Sequence, residues 1–183
     1  MPHPTTYLGL RNKYDGLTQE VRDYFEHLPL LLTNQMPYEV PLAYLFGRVE
    51  RAHNMTLYCG IVRKHRTDSQ KTFDVVSKEF ITRKKFKEYF ENIFGTPVDP
   101  SAHAHILACE KARDKAMHGK NPNDQEMRTA ISGILDYAPA FNIFVENLVG
   151  LKPFGSLQGF SGRAEKLSPA TTVLVLRGLG FTP

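Results

Sequence analysis

Arg113, Asp114 and His118 place a guanidinium, a carboxylate and an imidazole within one short run of sequence. An imidazole exchanges protons near neutral pH. Asp114 and His118 are four residues apart, so on a helix they share one face and the carboxylate can orient the imidazole. Arg113 and His118 converge only if the helix ends at His118, or if a second chain supplies its own copy.

Two helices joined by a short turn must position these side chains. Asp99-Pro100 predicts a helix start, because an N-cap acceptor is followed by a proline that fits the first helical turn. We expect this helix to run to His118, with Gly119 as the left-handed residue that ends it. Asn121-Pro122 predicts the start of the next helix for the same reason.

An arginine, a polar residue and a following His-Gly at a junction between two helices resemble the HEPN family, the higher-eukaryote and prokaryote nucleotide-binding domains. The matching residues are Arg113, Asp114 and His118, here called the Arg113 motif. The resemblance covers roughly residues 17 to 150, the span of the predicted helices. It implies an all-α helical bundle that forms a homodimer, with two copies of the motif facing one cleft.

Many members of that family resemble metal-independent endoribonucleases of toxin–antitoxin, phage-defence and RNA-processing systems, and others are inactive binding or scaffold domains. The resemblance implies that His118 acts as general acid or base, that Arg113 holds the scissile phosphate, and that Asp114 orients one of them. It implies no cofactor, RNA as a substrate, and an antitoxin or other protein as a possible partner. Some toxin members carry a tyrosine where this chain has Lys120, so a link to that subgroup is weakened.

A purely structural interpretation stands beside the catalytic one. Arg113 would then pair with Glu110 or with a carbonyl at the helix end, and His118 would cap the helix C-terminus, where a cation is favoured. A catalytically inactive HEPN-like module that binds a protein or nucleotide partner fits this interpretation.

Basic residues outside the motif form a second set of candidates. We expect Arg83, Lys84 and Lys87 to contact nucleic acid, together with Lys115 and Lys120 near the motif. A third hypothesis is a helical nucleic-acid-binding protein that uses the runs 83–87 and 63–66. The ordinary explanation of such runs is a solvated helix face, and the aromatic residues among the lysines are expected in the core.

Other chemistry finds little support in the sequence. His103 and His105 are two residues apart, so on a helix they diverge, and no HExxH or CxxC element is present; we therefore expect no metal site. Cys59 and Cys109 are too few for a disulfide framework, and we expect them to be buried in a protein of the reducing cytoplasm. We expect no secretory signal and no membrane span.

The remaining pattern predicts an all-α fold of about four to five main helices with a short C-terminal helical extension. We expect residues 1–14 to be an arm, a short helix to end at Pro29, and a long helix to begin near Pro41. Phe73, Val76 and Phe80 form one apolar set before Thr82, which caps a second helix or marks a kink. The predicted domain spans residues 1–150, and residues 151–183 form a loop and a helix, begun by Ser168-Pro169, that pack on it.

Overall fold

The protein is all-α in a computed structural model that describes residues 4–117, 120, 122–156 and 166–183. No strand occurs among these residues, which confirms the predicted fold class. Their helices in chain order are α1 (Tyr7–Asp15), α2 (Gln19–Tyr24), α3 (Leu28–Thr33), α4 (Glu39–His65), α5 (Ser69–Val76), α6 (Arg83–Phe94), α7 (Pro100–Met117), α8 (Asp124–Val149) and α9 (Pro169–Gly178). None of the described helices is both long enough and apolar enough to cross a membrane.

The chain packs as two compact units. Unit 1 comprises Met1–Glu50, Asp99–Phe144 and Phe154–Ser156, and unit 2 comprises Arg51–Val98, Val145–Pro153 and Leu157–Pro183. The division into residues 1–150 and 151–183 expected from the sequence stays a prediction.

In unit 1, a cluster of aromatic rings fills the core. Phe25, Tyr137, Phe141 and Phe154 are fully buried, and the ring centroids of Tyr137 and Phe141 lie 5.2 Å apart. Burying such rings gives the largest hydrophobic contribution per residue. Burial, followed by the charge of Glu110, raises the pKa of the Tyr137 phenol.

In unit 2, the apolar face of α6 forms the core. Its buried residues are Phe86, Tyr89, Phe90, Ile93 and Phe94. The Tyr89 ring stacks on Phe181 at 4.1 Å, which ties the C-terminal residues to α6. These apolar residues recur about every 3.6 residues, the repeat of an α-helix, so a helix places them all on one face, which is buried.

Several predicted helix ends are confirmed because local signals determine them. Thr82 caps α6 by accepting a hydrogen bond from the Lys85 N–H, and Gly95 ends that helix with φ of 73°. Ser168 caps α9 in the same way, accepting from the Thr171 N–H at 3.1 Å. Such caps satisfy backbone groups that the helix leaves without partners.

Two predictions about the N-terminal region were wrong. Residues 7–14 are not an arm: they belong to α1, which Thr6 caps and whose Leu10 and Tyr14 are buried. Pro29 does not end a helix either. It lies in the first turn of α3, where the N–H that proline lacks has no helical acceptor.

Candidate functional site

The Arg113 motif lies at the C-terminal end of α7, in unit 1. Arg113 and Asp114 are exposed in the last two turns of this helix, which ends at Met117. His118 and Gly119, to which the sequence assigned the imidazole and the helix stop, lie outside the described residues. Arg113 and Asp114 therefore lie near the C-terminal end of a helix, as predicted, and both side chains are open to solvent.

Two residues of α4, one helical turn apart, hold the Arg113 guanidinium. Nη2 donates a hydrogen bond to Glu50 Oε1 at 2.9 Å, and Cζ lies 5.5 Å from the centroid of the buried Phe46 ring. The Arg113 side chain is still 43% exposed. The sequence suggested Glu110 or a helix-end carbonyl as the partner of Arg113, but the observed partner is Glu50, 63 residues away.

This arrangement orients the guanidinium without enclosing it. The contact with Glu50 uses one of the five N–H donors of an arginine. The Arg113 Cζ lies over the Phe46 ring, within the distance at which cation–π attraction adds to packing. An oriented and half-exposed guanidinium can take up a phosphate, although the Glu50 carboxylate competes with that phosphate electrostatically.

Ile106, Glu110 and Asp114 follow one another at four-residue spacing along α7, and their exposure to solvent increases towards the motif. Ile106 and Glu110 are buried on α7, and Asp114, one turn later, is exposed. Asp114 is therefore the first carboxylate of this row that can face a solvent-borne substrate.

The connection from α7 to α8 is tied by a reciprocal cap. The Asn123 side chain accepts from the Glu126 N–H at 2.9 Å, and the Glu126 carboxylate accepts from the Asn123 N–H at 3.1 Å. The Lys115 ammonium also binds Glu126 and lowers the pKa of this carboxyl. The described helix begins at Asp124 with Asn123 as its cap, and Asn121, to which the sequence assigned the cap, lies outside the described residues.

Removing this cap should loosen the connection that follows the motif. We expect Asn123→Ala to lower the free energy of unfolding by about 1 kcal/mol, the usual loss for a truncated N-cap. Urea denaturation at neutral pH measures it, with Asn147→Ala as the control because Asn147 is an exposed asparagine of the same helix. An equal effect of both substitutions would contradict the assigned cap.

All five nucleic-acid-binding candidates are exposed. Lys115 is paired with Glu126, and the Lys120 backbone N–H donates to the Lys115 carbonyl at 2.9 Å. In unit 2, the side chains of Arg83, Lys84 and Lys87 are all exposed on α6.

The second basic run has a structural role in unit 2. Lys64 Nζ donates to the Phe94 carbonyl at 2.6 Å, and His65 Nε2 lies 3.2 Å from the Ile93 carbonyl. Both carbonyls belong to the C-terminal end of α6, where cations are favoured. Nearby, Arg63 contacts the Gly150 carbonyl at 3.5 Å. These contacts favour a helix-capping role for the 63–66 run over phosphate binding.

Thiol chemistry finds no support in the structure. Cys59 and Cys109 are both buried, as predicted, and burial raises the pKa of each thiol to about 12. A thiol with such a pKa is a poor nucleophile, because the thiolate is the reactive form. Among the described residues, no group of three or more His, Cys, Asp or Glu side chains is arranged to hold a metal ion.

No protein-family model, curated protein or solved structure matches this chain. The site is therefore interpreted from its own residues. Its two unpredicted members, Phe46 and Glu50, are four residues apart on α4, and no motif in the sequence links them to Arg113.

Proposed function

We propose that this protein is a HEPN-like, metal-independent endoribonuclease that acts through Arg113, Asp114 and His118. The observation that carries the proposal is the Arg113 guanidinium, half-exposed and oriented by Glu50 and Phe46, in the helix that immediately precedes His118. A guanidinium held in this way is prepared to stabilise charge on a phosphate before the substrate arrives.

The proposed step is an internal transesterification of RNA. The 2′-oxygen attacks the adjacent phosphorus and loses its proton to a general base, while the bond from phosphorus to the 5′-oxygen breaks and that oxygen gains a proton. The products are a 2′,3′-cyclic phosphate and a 5′-hydroxyl end. His118 transfers a proton, Arg113 stabilises the charged phosphoryl oxygens, and Asp114 orients one of the two.

A homodimer supplies what one chain lacks for this step. The reaction needs one base and one acid, whereas each chain has a single histidine in the motif. Two copies facing one cleft would provide both groups, as the family resemblance implies. Toxin, phage-defence and RNA-processing systems are the settings in which such a nuclease would act, with an antitoxin as one kind of partner.

Cleavage of a mixed RNA pool in excess chelator tests the proposal directly. We expect the wild-type protein to produce fragments with 2′,3′-cyclic phosphate and 5′-hydroxyl ends, and to leave DNA of the same sequences intact. His118→Ala should slow cleavage at least about a hundredfold, the usual contribution of a general acid or base. His105→Ala is the matched control, since His105 is an exposed histidine on the same helix.

A catalytically inactive binding or scaffold module is the second candidate. The observation that favours it is the Arg113–Glu50 ion pair, because a carboxylate against the guanidinium neutralises the charge that a nuclease would use. Folded wild-type protein that cuts no RNA class would support this module. Cleavage that survives His118→Ala would refute the assigned role of His118.

A further inference from the structure

Phe80 is the most exposed large apolar residue in the described part of the chain. Its side chain is 83% exposed in the segment between α5 and α6, in unit 2. The sequence placed it in an apolar set with Phe73 and Val76, yet only Val76 of the three is buried. A large ring left in water at this position needs an explanation beyond packing.

The backbone that leads to Phe80 is held by hydrogen bonds to α5, and the Glu79 side chain contacts α6. Before it, Lys78 and Glu79 donate backbone hydrogen bonds to carbonyls of α5 at 3.2 and 3.3 Å. The Glu79 carboxylate also accepts from Lys85 Nζ at 2.6 Å and from the Tyr89 hydroxyl at 3.1 Å. The Lys85 bond holds the pKa of this carboxyl below its usual value. A ligand that met this ring would therefore order little additional chain.

Positive charge is concentrated in the sequence around Phe80. Residues 78–87 contain five lysine or arginine residues and one glutamate, a net charge of +4 that equals the net charge of the whole chain. Lys85 is paired with Glu79. Phe80 and the other four cations are all exposed, and we term them the Phe80 surface: Lys78, Phe80, Arg83, Lys84 and Lys87. Lys84 Nζ lies 3.7 Å from Glu88 Oε1 in an exposed ion pair. Because exposed ion pairs are weak, an anionic ligand can compete with Glu88 for Lys84.

A ligand that matches this surface is a polyanion with flat apolar faces. Nucleic acid has both features, and only an unpaired base offers its face to a protein ring, because a duplex keeps its bases stacked. We propose that the Phe80 surface binds single-stranded nucleic acid, with Phe80 stacking on a base and the four cations contacting phosphates. The site reads no sequence and does not need the 2′-hydroxyl, so DNA and RNA bind alike.

An anionic membrane is the less suitable occupant. Interfacial helices combine their cations with a broad apolar face that enters the lipid. In α6 the apolar residues are all buried within unit 2, so this helix has no apolar face that could enter the lipid beside Phe80. This surface shares no residue with the Arg113 motif, so the proposal goes beyond the nuclease function and does not depend on it.

Binding of a fluorescent 12-nucleotide oligothymidine to the full chain tests the proposal, with anisotropy as the readout. We expect Phe80→Ala to weaken binding about tenfold, because stacking on one aromatic ring has an effect of this size. Phe80→Trp should restore the affinity. Leu174→Ala is the control, as Leu174 is an apolar residue of unit 2 that is 66% exposed.

Lys84→Gln and Lys87→Gln should each lower the slope of log Kd against log salt by about 0.7, the value for one phosphate contact on a single strand.

The possible results separate this inference from the nuclease proposal. In one outcome, Phe80→Ala loses oligothymidine binding and the wild-type protein cuts no RNA. The nuclease proposal then fails, and the inference about the Phe80 surface stands. Three results would overturn it: no binding by the wild-type chain in 50 mM salt at about 100 µM protein, an affinity unchanged in Phe80→Ala, or equal binding of a blunt duplex. Binding to phosphatidylserine vesicles in place of the oligonucleotide would assign the surface to a membrane.

Discussion

Arg113→Ala is expected to slow RNA cleavage in chelator about a hundredfold to a thousandfold relative to the wild-type chain. The substitution removes the group that would stabilise charge on the scissile phosphate, and losing one such donor has effects of this size. The fold should survive, because the Arg113 side chain is 43% exposed and its ion pair with Glu50 lies at the surface. Single-turnover cleavage rates measure the effect, with circular dichroism to confirm that the helices are intact.

Arg113→Lys separates charge from geometry. Lysine keeps the positive charge but lacks the planar fork that lies over the Phe46 ring and donates to Glu50. We expect it to regain only a small part of the activity lost in Arg113→Ala. Full activity in Arg113→Lys would show that the two contacts from α4 have no part in catalysis.

Glu50→Gln examines the carboxylate that faces the guanidinium. Glutamine keeps a carbonyl acceptor in the same place and removes the negative charge, so Arg113 stays oriented while its competition with phosphate ends. We expect a lower KM for RNA and little change in kcat. In the Arg113→Ala background the same change should have a smaller effect on KM, because the competition acts through Arg113. Equal changes in both backgrounds would mean that Glu50 repels RNA without acting through the arginine.

The sequence could predict the helix ends that depend only on neighbouring residues. Thr82, Gly95 and Ser168 end or begin helices through hydrogen bonds and backbone angles that involve only their neighbours. Pro29 and Asn123 show the limit of this reasoning. A proline fits either side of a helix boundary, and Asn121 and Asn123 each have a carboxylate three residues later in the sequence, so competing local signals must be weighed together.

The surroundings of the site depend on contacts between distant parts of the chain, and these were not predictable. Glu50 is 63 residues from Arg113, and its role requires that α4 and α7 be neighbours in unit 1. The spacing of Phe80 from Phe73 and Val76 groups the three as one apolar set, but α5 ends at Val76 and the chain turns before Phe80. Periodicity predicts a buried face only as far as the helix continues.

The packing of α7 on α8 in unit 1 depends on a glycine, and this gives the largest expected change in stability. A Cβ atom at Gly133 would lie 2.6 Å from the His105 carbonyl oxygen and 2.9 Å from Cys109 Sγ. The carbonyl belongs to the backbone of α7 and cannot rotate away as a side chain can. Nearby, Cys109 Sγ donates to the Ala130 carbonyl at 2.8 Å, so a shift of either helix would also disturb this bond.

Gly133→Ala is therefore expected to lower the free energy of unfolding by about 2 to 3 kcal/mol, since overpacking a tight contact costs this much. Gly47→Ala is the matched control, because Gly47 is also helical, lies in unit 1 and has open space where a Cβ would stand. There alanine should stabilise the protein by about 0.5 to 1 kcal/mol through its better helix propensity. The same chemical change should thus shift the urea midpoint in opposite directions at the two positions. A stabilising effect at Gly133 would mean that α7, the helix carrying Arg113, does not approach α8 as closely as described.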